Sequence, residues 1–156
     1  MTYKKLSTRI LKELRAEGRQ SLRELAEKLG VSATTIGKRL DQLRAEGALK
    51  GVSADIDYEK IGYNYVAIIR FKVQGDSIGE ALKLLDAHPN LTDIYEITGD
   101  YDILAIGHYY DRDQMNRIIK EVQSHSAILA TNTSVVLNIY REDHPLPLEP
   151  KENTSS

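Results

Sequence analysis

Apolar residues recur at helical spacing in three stretches of the first third of the chain. In the first stretch they lie four residues apart, at Leu6, Ile10 and Leu14, with basic residues between them. Gly18 follows at the place where a helix is expected to end. This pattern predicts an amphipathic first helix.

The second and third stretches are shorter and follow each other closely. Ser21 and Glu24 match a capping box at the start of the second stretch, which ends at Gly30. Ser32 then begins a third stretch with one apolar face, made by Ile36, Leu40 and Leu43. Two short helices joined by a tight glycine turn predict a helix-turn-helix, whose second helix enters the major groove of DNA. Residues 49–52 are expected to form a wing.

The opposite face of the third helix carries side chains that suit DNA. Arginine binds guanine in bidentate fashion, glutamine does the same to adenine, and threonine offers a hydroxyl and a methyl group to thymine. Serine and lysine suit phosphates. The predicted DNA-binding residues are Ser21, Ser32, Thr34, Thr35, Lys38, Arg39 and Gln42. The alternative is a plain three-helix bundle with a solvated polar face.

From Tyr65 onward the apolar period changes from helical to alternating, which predicts strands. We expect a first strand from Tyr65, followed by a helix through Ile78, Leu82 and Leu85. Two strands come next, over Leu91–Thr98 and Ile103–His108, joined by a turn at Gly99–Asp102. A second helix is capped by Asp111, and a last strand runs through Val135, Leu137 and Ile139. This order predicts a ferredoxin-like βαββαβ fold with both helices on one face of the sheet. The other face, with Ile68 and Val136, is left uncovered, which favours self-association.

The predicted fold class is therefore α+β, with a winged helix-turn-helix followed by a ferredoxin-like regulatory domain. The expected divisions are 1–52 for the DNA-binding domain, 53–64 for a linker strand, 65–142 for the regulatory domain and 143–156 for a flexible tail. Charge follows this division, because residues 1–53 hold 12 Lys and Arg against 6 Asp and Glu, a net charge of +6. The remainder holds 9 against 17, a net charge of -8. A basic domain joined to an acidic one favours contact of the first with a polyanion.

Several classes of function are disfavoured by what the sequence lacks. It has no cysteine, and its four histidines lie far apart without metal-ligand spacing. No nucleophile elbow, phosphate loop or dinucleotide fingerprint is present. We therefore expect no enzyme, no metal and no cofactor. The amphipathic N-terminus and the absence of long apolar runs predict a cytoplasmic protein without a membrane partner.

Four segments together carry a resemblance to a known family, from about Leu6 to Tyr140. They are Ser21–Ala26, Val31–Leu40, Glu46–Leu49 and Thr98–Asp102. In this order and spacing the chain resembles the leucine-responsive and asparagine regulators, the Lrp/AsnC or feast/famine family. The resemblance implies a homodimer, often assembled into octamers, that binds double-stranded DNA through its first domain.

The resemblance also implies a small effector, usually an amino acid, bound between dimers by the second domain, called RAM in this family. The matching residues are Thr98, Gly99, Asp100, Tyr101, Asp102, Asn116, Lys120, Thr131, Asn132 and Thr133. Asp102 suits the ammonium of an amino acid, and the amides near Gly99 with the threonine hydroxyls suit its carboxylate. Alternatively, Gly99 and Asp100 only make a hairpin turn. The chain departs from the family at 124–128, where relatives commonly have a Pro-Gly turn.

The sequence thus predicts a sequence-specific DNA-binding transcription regulator that responds to a small effector. The rival hypothesis is an architectural protein that wraps DNA through backbone contacts with little sequence preference.

Overall fold

The structure is a computed structural model that describes residues 3–142 and 144–148, with the backbone alone for Tyr3 and Lys4. The helices and strands are α1 (Tyr3–Ala16), α2 (Leu22–Leu29), α3 (Ala33–Ala45), β1 (Tyr65–Val73), α4 (Ile78–Asp86), β2 (Leu91–Glu96), β3 (Ile103–Tyr109), α5 (Arg112–Gln123) and β4 (Ile128–Val135). They form two compact units. The first holds the described residues up to Asp55 together with 144–148, and the second is Ile56–Glu142.

In the first unit the predicted helix signals are confirmed. The Ser21 backbone amide donates to Glu24 Oε2 at 2.6 Å, and the Glu24 amide donates to Ser21 Oγ at 3.3 Å, which completes the capping box of α2. Gly30 ends α2 with a φ of 69°, a left-handed conformation that glycine adopts without strain. The three helices enclose one apolar core, built from Leu6, Ile10, Leu25, Ala26, Leu29, Ile36, Leu40 and Leu43.

The second unit is a four-stranded antiparallel sheet with the order β2-β3-β1-β4. This is the order of the predicted ferredoxin-like fold. Alternate residues of β1, among them Ile69 and Phe71, are buried on the face that carries both helices. Leu85 of α4 and Val122 of α5 are fully buried against them. The core of this unit therefore lies between the sheet and its two helices.

The opposite face of the sheet, which we call the open face, carries apolar side chains that are only partly buried. Ile68 lies across from Ile106, and Arg70 lies across from Leu104. Tyr95 on β2 is 50% exposed beside Leu104. An uncovered apolar face was expected, and the structure has one here.

Two sequence predictions about strands are wrong. The last strand is Ile128–Val135 rather than the segment centred on Leu137, whose side chain is 90% exposed. As an edge strand with a single buried residue, β4 has the polar sequence Thr131–Ser134 in its middle and lacks an apolar alternation. The expected linker strand at 53–64 contains no strand, because these residues are irregular up to Asp57 and then form turns at 58–62.

The described part of the tail, residues 144–148, groups with the DNA-binding unit. The Arg15 guanidinium of α1 donates a hydrogen bond to the Leu146 carbonyl oxygen. The rest of the expected flexible tail, Asp143 and 149–156, lies outside the described residues.

Candidate DNA-binding helix and effector site

The helix predicted to enter the DNA groove, α3, begins at a side-chain cap. Ser32 Oγ accepts the Thr35 backbone amide at 3.1 Å and shares a second hydrogen bond with Thr35 Oγ1 at 2.8 Å. Ile36, Leu40 and Leu43 bury the inner face of α3. Because the cap and the core fix both the start and the rotation of α3, its outer face is held rigidly.

The predicted base-reading residues lie on that outer face, and the structure adds a link between two of them. Thr34, Thr35, Lys38 and Gln42 are exposed, whereas Arg39 is partly buried. The Arg39 guanidinium donates to Gln42 Oε1 at 2.8 Å. Arginine and glutamine are the side chains that read guanine and adenine. The structure thus holds these two candidate base readers in one hydrogen-bonded pair.

The predicted effector residue Asp102 is already engaged inside the regulatory unit. Its Oδ2 accepts the Val73 backbone amide at 2.8 Å, and its Oδ1 accepts from Lys72 Nζ at 3.2 Å. The Val73 amide, with the Lys72 ammonium, holds the pKa of the Asp102 carboxyl below its usual value of 3.8. Asp102 therefore fixes the end of β1 against the β2–β3 turn.

The β2–β3 turn itself offers unused polar groups. Gly99 has a φ of 111°, which glycine adopts without strain. The backbone amides of Gly99, Asp100 and Tyr101 donate to no backbone or side-chain acceptor within the described residues. The Asp100 carboxylate has no ion pair there either. The turn thus presents donors for an anion and one carboxylate for a cation.

Arg70, which the sequence analysis missed, connects two predicted effector residues on the open face. Its guanidinium Nη2 donates to Asn132 Oδ1 at 2.7 Å, and its Cζ lies 5.6 Å from the centre of the Tyr101 ring. Arg70 and Lys72 sit two residues apart on β1 and therefore point to the same face. Their alternation with buried residues was visible in the sequence, but their partners depend on the β1–β4 register.

A second group of predicted effector residues lies on the helix side of the sheet. Asn116 of α5 lines a cleft of about 380 Å³ with Tyr65, Arg112, Met115 and Val135. Further along the same helix Gln123 Nε2 donates to the Thr131 hydroxyl. Lys120 lies between these two points of α5 and is exposed.

The predicted effector residues outside the β2–β3 turn therefore divide between the two faces of one sheet. Residues of β4 alternate in direction, so that Thr131 and Thr133 lie on the side of α5 while Asn132 lies on the open face with Arg70. The cleft beside Asn116 contains only this one of the ten residues among its described lining.

The turn before β4, where the Pro-Gly pair of the family is missing, is stabilised by other groups. Ser124 Oγ donates to the Glu121 carbonyl oxygen at 2.7 Å, and His125 Nδ1 accepts the Ala127 amide at 3.2 Å. The helix thus ends, and the chain turns, without a Pro-Gly pair.

In residues 3–142 and 144–148 no group of three or more His, Asp or Glu side chains is placed to hold a metal ion. No helix in the same residues has the length and apolar character needed to cross a bilayer.

Comparison with family models matches both units. The winged helix-turn-helix DNA-binding model covers residues 4–50, and the Lrp/AsnC ligand binding domain model covers residues 66–146. An uncharacterized HTH-type transcriptional regulator of Pyrococcus furiosus is 39% identical over 141 residues, 90% of this chain and 95% of that protein. The HTH-type transcriptional regulator FL11 of the same organism is 30% identical over 144 residues, 92% of this chain and 95% of FL11.

Solved structures agree with this match. AsnC from E. coli superposes with a TM-score of 0.83 at 26% identity, covering 92% of this chain and 97% of AsnC. A Neisseria meningitidis transcriptional regulator solved as an L-Met complex shares the fold, with a TM-score of 0.82 at 24% identity and coverage of 92% and 96%. With both family models in order along the chain, this protein belongs to the Lrp/AsnC family of DNA-binding transcriptional regulators, which are not enzymes.

Proposed function

We propose that this regulator recognises specific DNA sequences through α3 and that an amino-acid effector bound to the regulatory unit modulates this recognition. The observation that carries the first half is the pair of Arg39 and Gln42 on the outer face of a capped helix. A phosphate-only surface needs positive charge but no pair of bidentate side chains.

The pairing of Arg39 with Gln42 lowers the conformational freedom of both side chains before DNA arrives. A side chain that is already ordered loses less entropy when it binds a base. Lys38 and Thr34 lie one helical turn apart on the same surface, where Lys38 suits a phosphate and Thr34 a base or phosphate. The set therefore combines one side chain suited to phosphate with several groups that discriminate between bases.

The experiment selects bound sites from random DNA and then compares affinity for the best site with affinity for random sequence at a stated salt concentration. Arg39→Ala is expected to cost about 1 to 3 kcal/mol at the best site and to relax the preference at one or two positions. Arg44→Ala is the matched control, because Arg44 lies on the same helix but pairs with Asp41 at 3.4 Å. We expect that change to leave base preference intact.

An architectural protein would behave differently in this experiment. It would select no common site, and Arg39→Ala and Arg44→Ala would weaken binding on all sequences alike. That result would contradict sequence-specific recognition by α3 and favour an architectural protein.

The effector half rests on the β2–β3 turn. Its amides at Gly99, Asp100 and Tyr101, which have no acceptor among residues 3–142 and 144–148, suit a carboxylate. The Asp100 carboxylate, which has no ion pair in that part of the chain, suits an ammonium. We assign the ammonium to Asp100 rather than Asp102, because Asp102 is already paired with Lys72. The fold of the Neisseria regulator, which was solved with L-methionine, supports an amino acid as the effector.

Lys120 gives a test of effector charge. If the effector lies against the exposed face of α5 that carries Asn116 and Lys120, the lysine repels cationic ligands. Calorimetry is expected to find that leucine, glutamine or glutamate binds better than lysine or arginine, and that Lys120→Asp reverses this order. Lys83→Asp on α4 is the control and should change nothing. Tightest binding of lysine or arginine by the unaltered protein would contradict the assignment.

We also propose that the effector site is completed by a second copy of the chain. The candidate residues lie on both faces of the sheet, so one chain does not surround a ligand with all of them. Dimers that bury the open face, assembled further into octamers, would bring such residues together from different chains.

A further inference from the structure

A cleft of about 380 Å³ lies beside α1 within the DNA-binding unit. Its lining comes from the second half of α1, from residues 48–53 after α3, and from one tail residue, Leu148. Leu148 is half-buried there, whereas Leu146, two residues earlier, is 80% exposed. The two leucines of the tail thus differ in exposure, and of the two only Leu148 lines the cleft.

A hydrogen bond holds the same segment at a second point. Arg15, in the last turn of α1, donates from Nη1 to the Leu146 carbonyl oxygen. Pro145 and Pro147 on either side of Leu146 restrict the backbone to extended conformations and carry no amide that needs an acceptor. A segment of this kind loses little entropy when it is fixed against a surface.

The residues of the cleft wall explain why an apolar side chain is held there. Leu11 and Leu14 of α1 pack partly buried at the edge of the helical core, and Leu49 packs on the other side. Val52 lies so close to Gly18 that a Cβ at Gly18 would collide with it. Leu148 therefore lines the same cleft as both α1 and the segment that follows α3.

We propose that His144–Leu148 is a strap that anchors through the half-buried Leu148 at the wall of this cleft and holds residues 48–53 against α1. In the sequence only Asp143 separates the strap from Glu142, the last residue of the regulatory unit. The strap is thus a second covalent connection to the DNA-binding unit, besides the crossing between Asp55 and Ile56. Two connections close a loop and lower the conformational freedom of the segments they join. The expected DNA contacts on α3 use none of the cleft residues, so the strap and α3 can be tested separately.

The first experiment measures hydrogen exchange of the full-length protein. Leu148→Asp is expected to make amides in the last turn of α1 and in residues 48–53 exchange roughly fivefold faster, because an apolar anchor is lost. Leu146→Asp is the matched control, with the same change of residue and charge two positions away on an exposed side chain. We expect the amides of Leu146→Asp to exchange at the wild-type rate. The amides of β1 should exchange at the wild-type rate in both variants. Equal behaviour of the two variants would overturn the strap.

The second experiment tests which chain supplies the strap. The protein has no cysteine, so Ser53→Cys combined with Pro147→Cys introduces a single pair, one thiol at the cleft and the other beside Leu148, which stays intact. A short thiol crosslinker is expected to join them within one chain under native conditions and to fail in urea. A link between two chains would assign the strap to a second copy and contradict the proposal. The absence of any native link would also contradict it.

Discussion

Asp102 makes contacts within the fold that its sequence context did not indicate. Its sequence context, in a Gly-Asp-Tyr-Asp turn, favoured contact with an effector. The structure instead pairs its carboxylate with the Val73 amide and the Lys72 ammonium, two groups from a strand 29 and 30 residues away. A carboxylate that already accepts two hydrogen bonds has less capacity for a ligand.

The lowered pKa of Asp102 predicts a pH-dependent contribution to stability. A carboxyl whose folded pKa lies below its unfolded value stabilises the fold above that value, here 3.8, and loses the effect as the pH falls through the folded pKa. Asp102→Asn should therefore lower the urea midpoint near about pH 7 and lower it less near about pH 3, where the unfolded carboxyl is largely protonated. Asp100→Asn, which removes an unpaired carboxylate, serves as control. An equal loss at both pH values would contradict this role.

Tyr109 is a second residue with an unexpected environment. It is fully buried, burial raises the pKa of its hydroxyl to about 12, and the hydroxyl has no hydrogen-bond partner within the described residues. The ring fits because Gly107 has no Cβ. An unsatisfied buried hydroxyl costs about 1 to 3 kcal/mol, so Tyr109→Phe should raise the free energy of unfolding by about 1 kcal/mol.

Chemical denaturation of Tyr109→Phe and of Tyr95→Phe measures this effect. Tyr95 is half exposed, and its hydroxyl donates a hydrogen bond to Asp93 Oδ1 at 3.1 Å. Tyr95→Phe should therefore leave the free energy of unfolding close to that of the unaltered protein. A clear loss of stability in Tyr109→Phe would mean that the hydroxyl binds an ordered water.

At the scale of elements, the caps decide where the DNA-binding helices begin. Ser21 and Ser32 both precede a helix and both accept an amide three residues on. Each satisfies one of the amides that a helix leaves unpaired at its first turn. These contacts use only neighbouring residues.

Ser32→Ala should cost about 1 kcal/mol of stability in the DNA-binding unit, because the Thr35 amide loses its acceptor. Ser77→Ala is the control, since Ser77 precedes α4 in the same way but makes no side-chain cap. Thermal unfolding followed by circular dichroism distinguishes the two. Equal melting temperatures for both variants would show that the Ser32 cap contributes nothing.

At the scale of the whole molecule, the open face of the sheet is the feature that a single chain leaves incomplete. Ile68, Leu104 and Ile106 remain partly exposed there, and Tyr95 lies beside them. A stable dimer commonly buries about 800 Å² on each partner, and an apolar sheet face offers such a surface. We expect residues 56–142 alone to stay folded and to be at least dimeric at about micromolar concentration.

Sedimentation measures the oligomeric state of the fragment directly. Ile106→Asp is expected to shift the same fragment toward monomer, because this change buries a charge in the interface. Glu96→Lys, an exposed change at the end of β2, is the control. A folded monomer of the unaltered fragment would contradict the dimer.

The three helices of the DNA-binding unit followed from the sequence alone. Their apolar period, the capping box at Ser21 and the glycine at 30 act through residues at most five positions apart, so no knowledge of distant partners was required. The strand order and the uncovered face also followed, because alternation fixes which residues of β1 share a face.

Tertiary structure decided what depends on distant partners. The edge strand β4 is polar, and its register with β1 defines it, so the sequence favoured the more apolar residues 135–139 instead. The same register brings Arg70 to Asn132, separates Asn132 from Thr131 across the sheet, and places Lys72 beside Asp102. The tail was expected to be flexible because it lacks periodicity, yet Leu148 lines a cleft whose other residues lie far away in the chain. Local patterns determine helices and faces, whereas contacts between distant residues determine which groups meet.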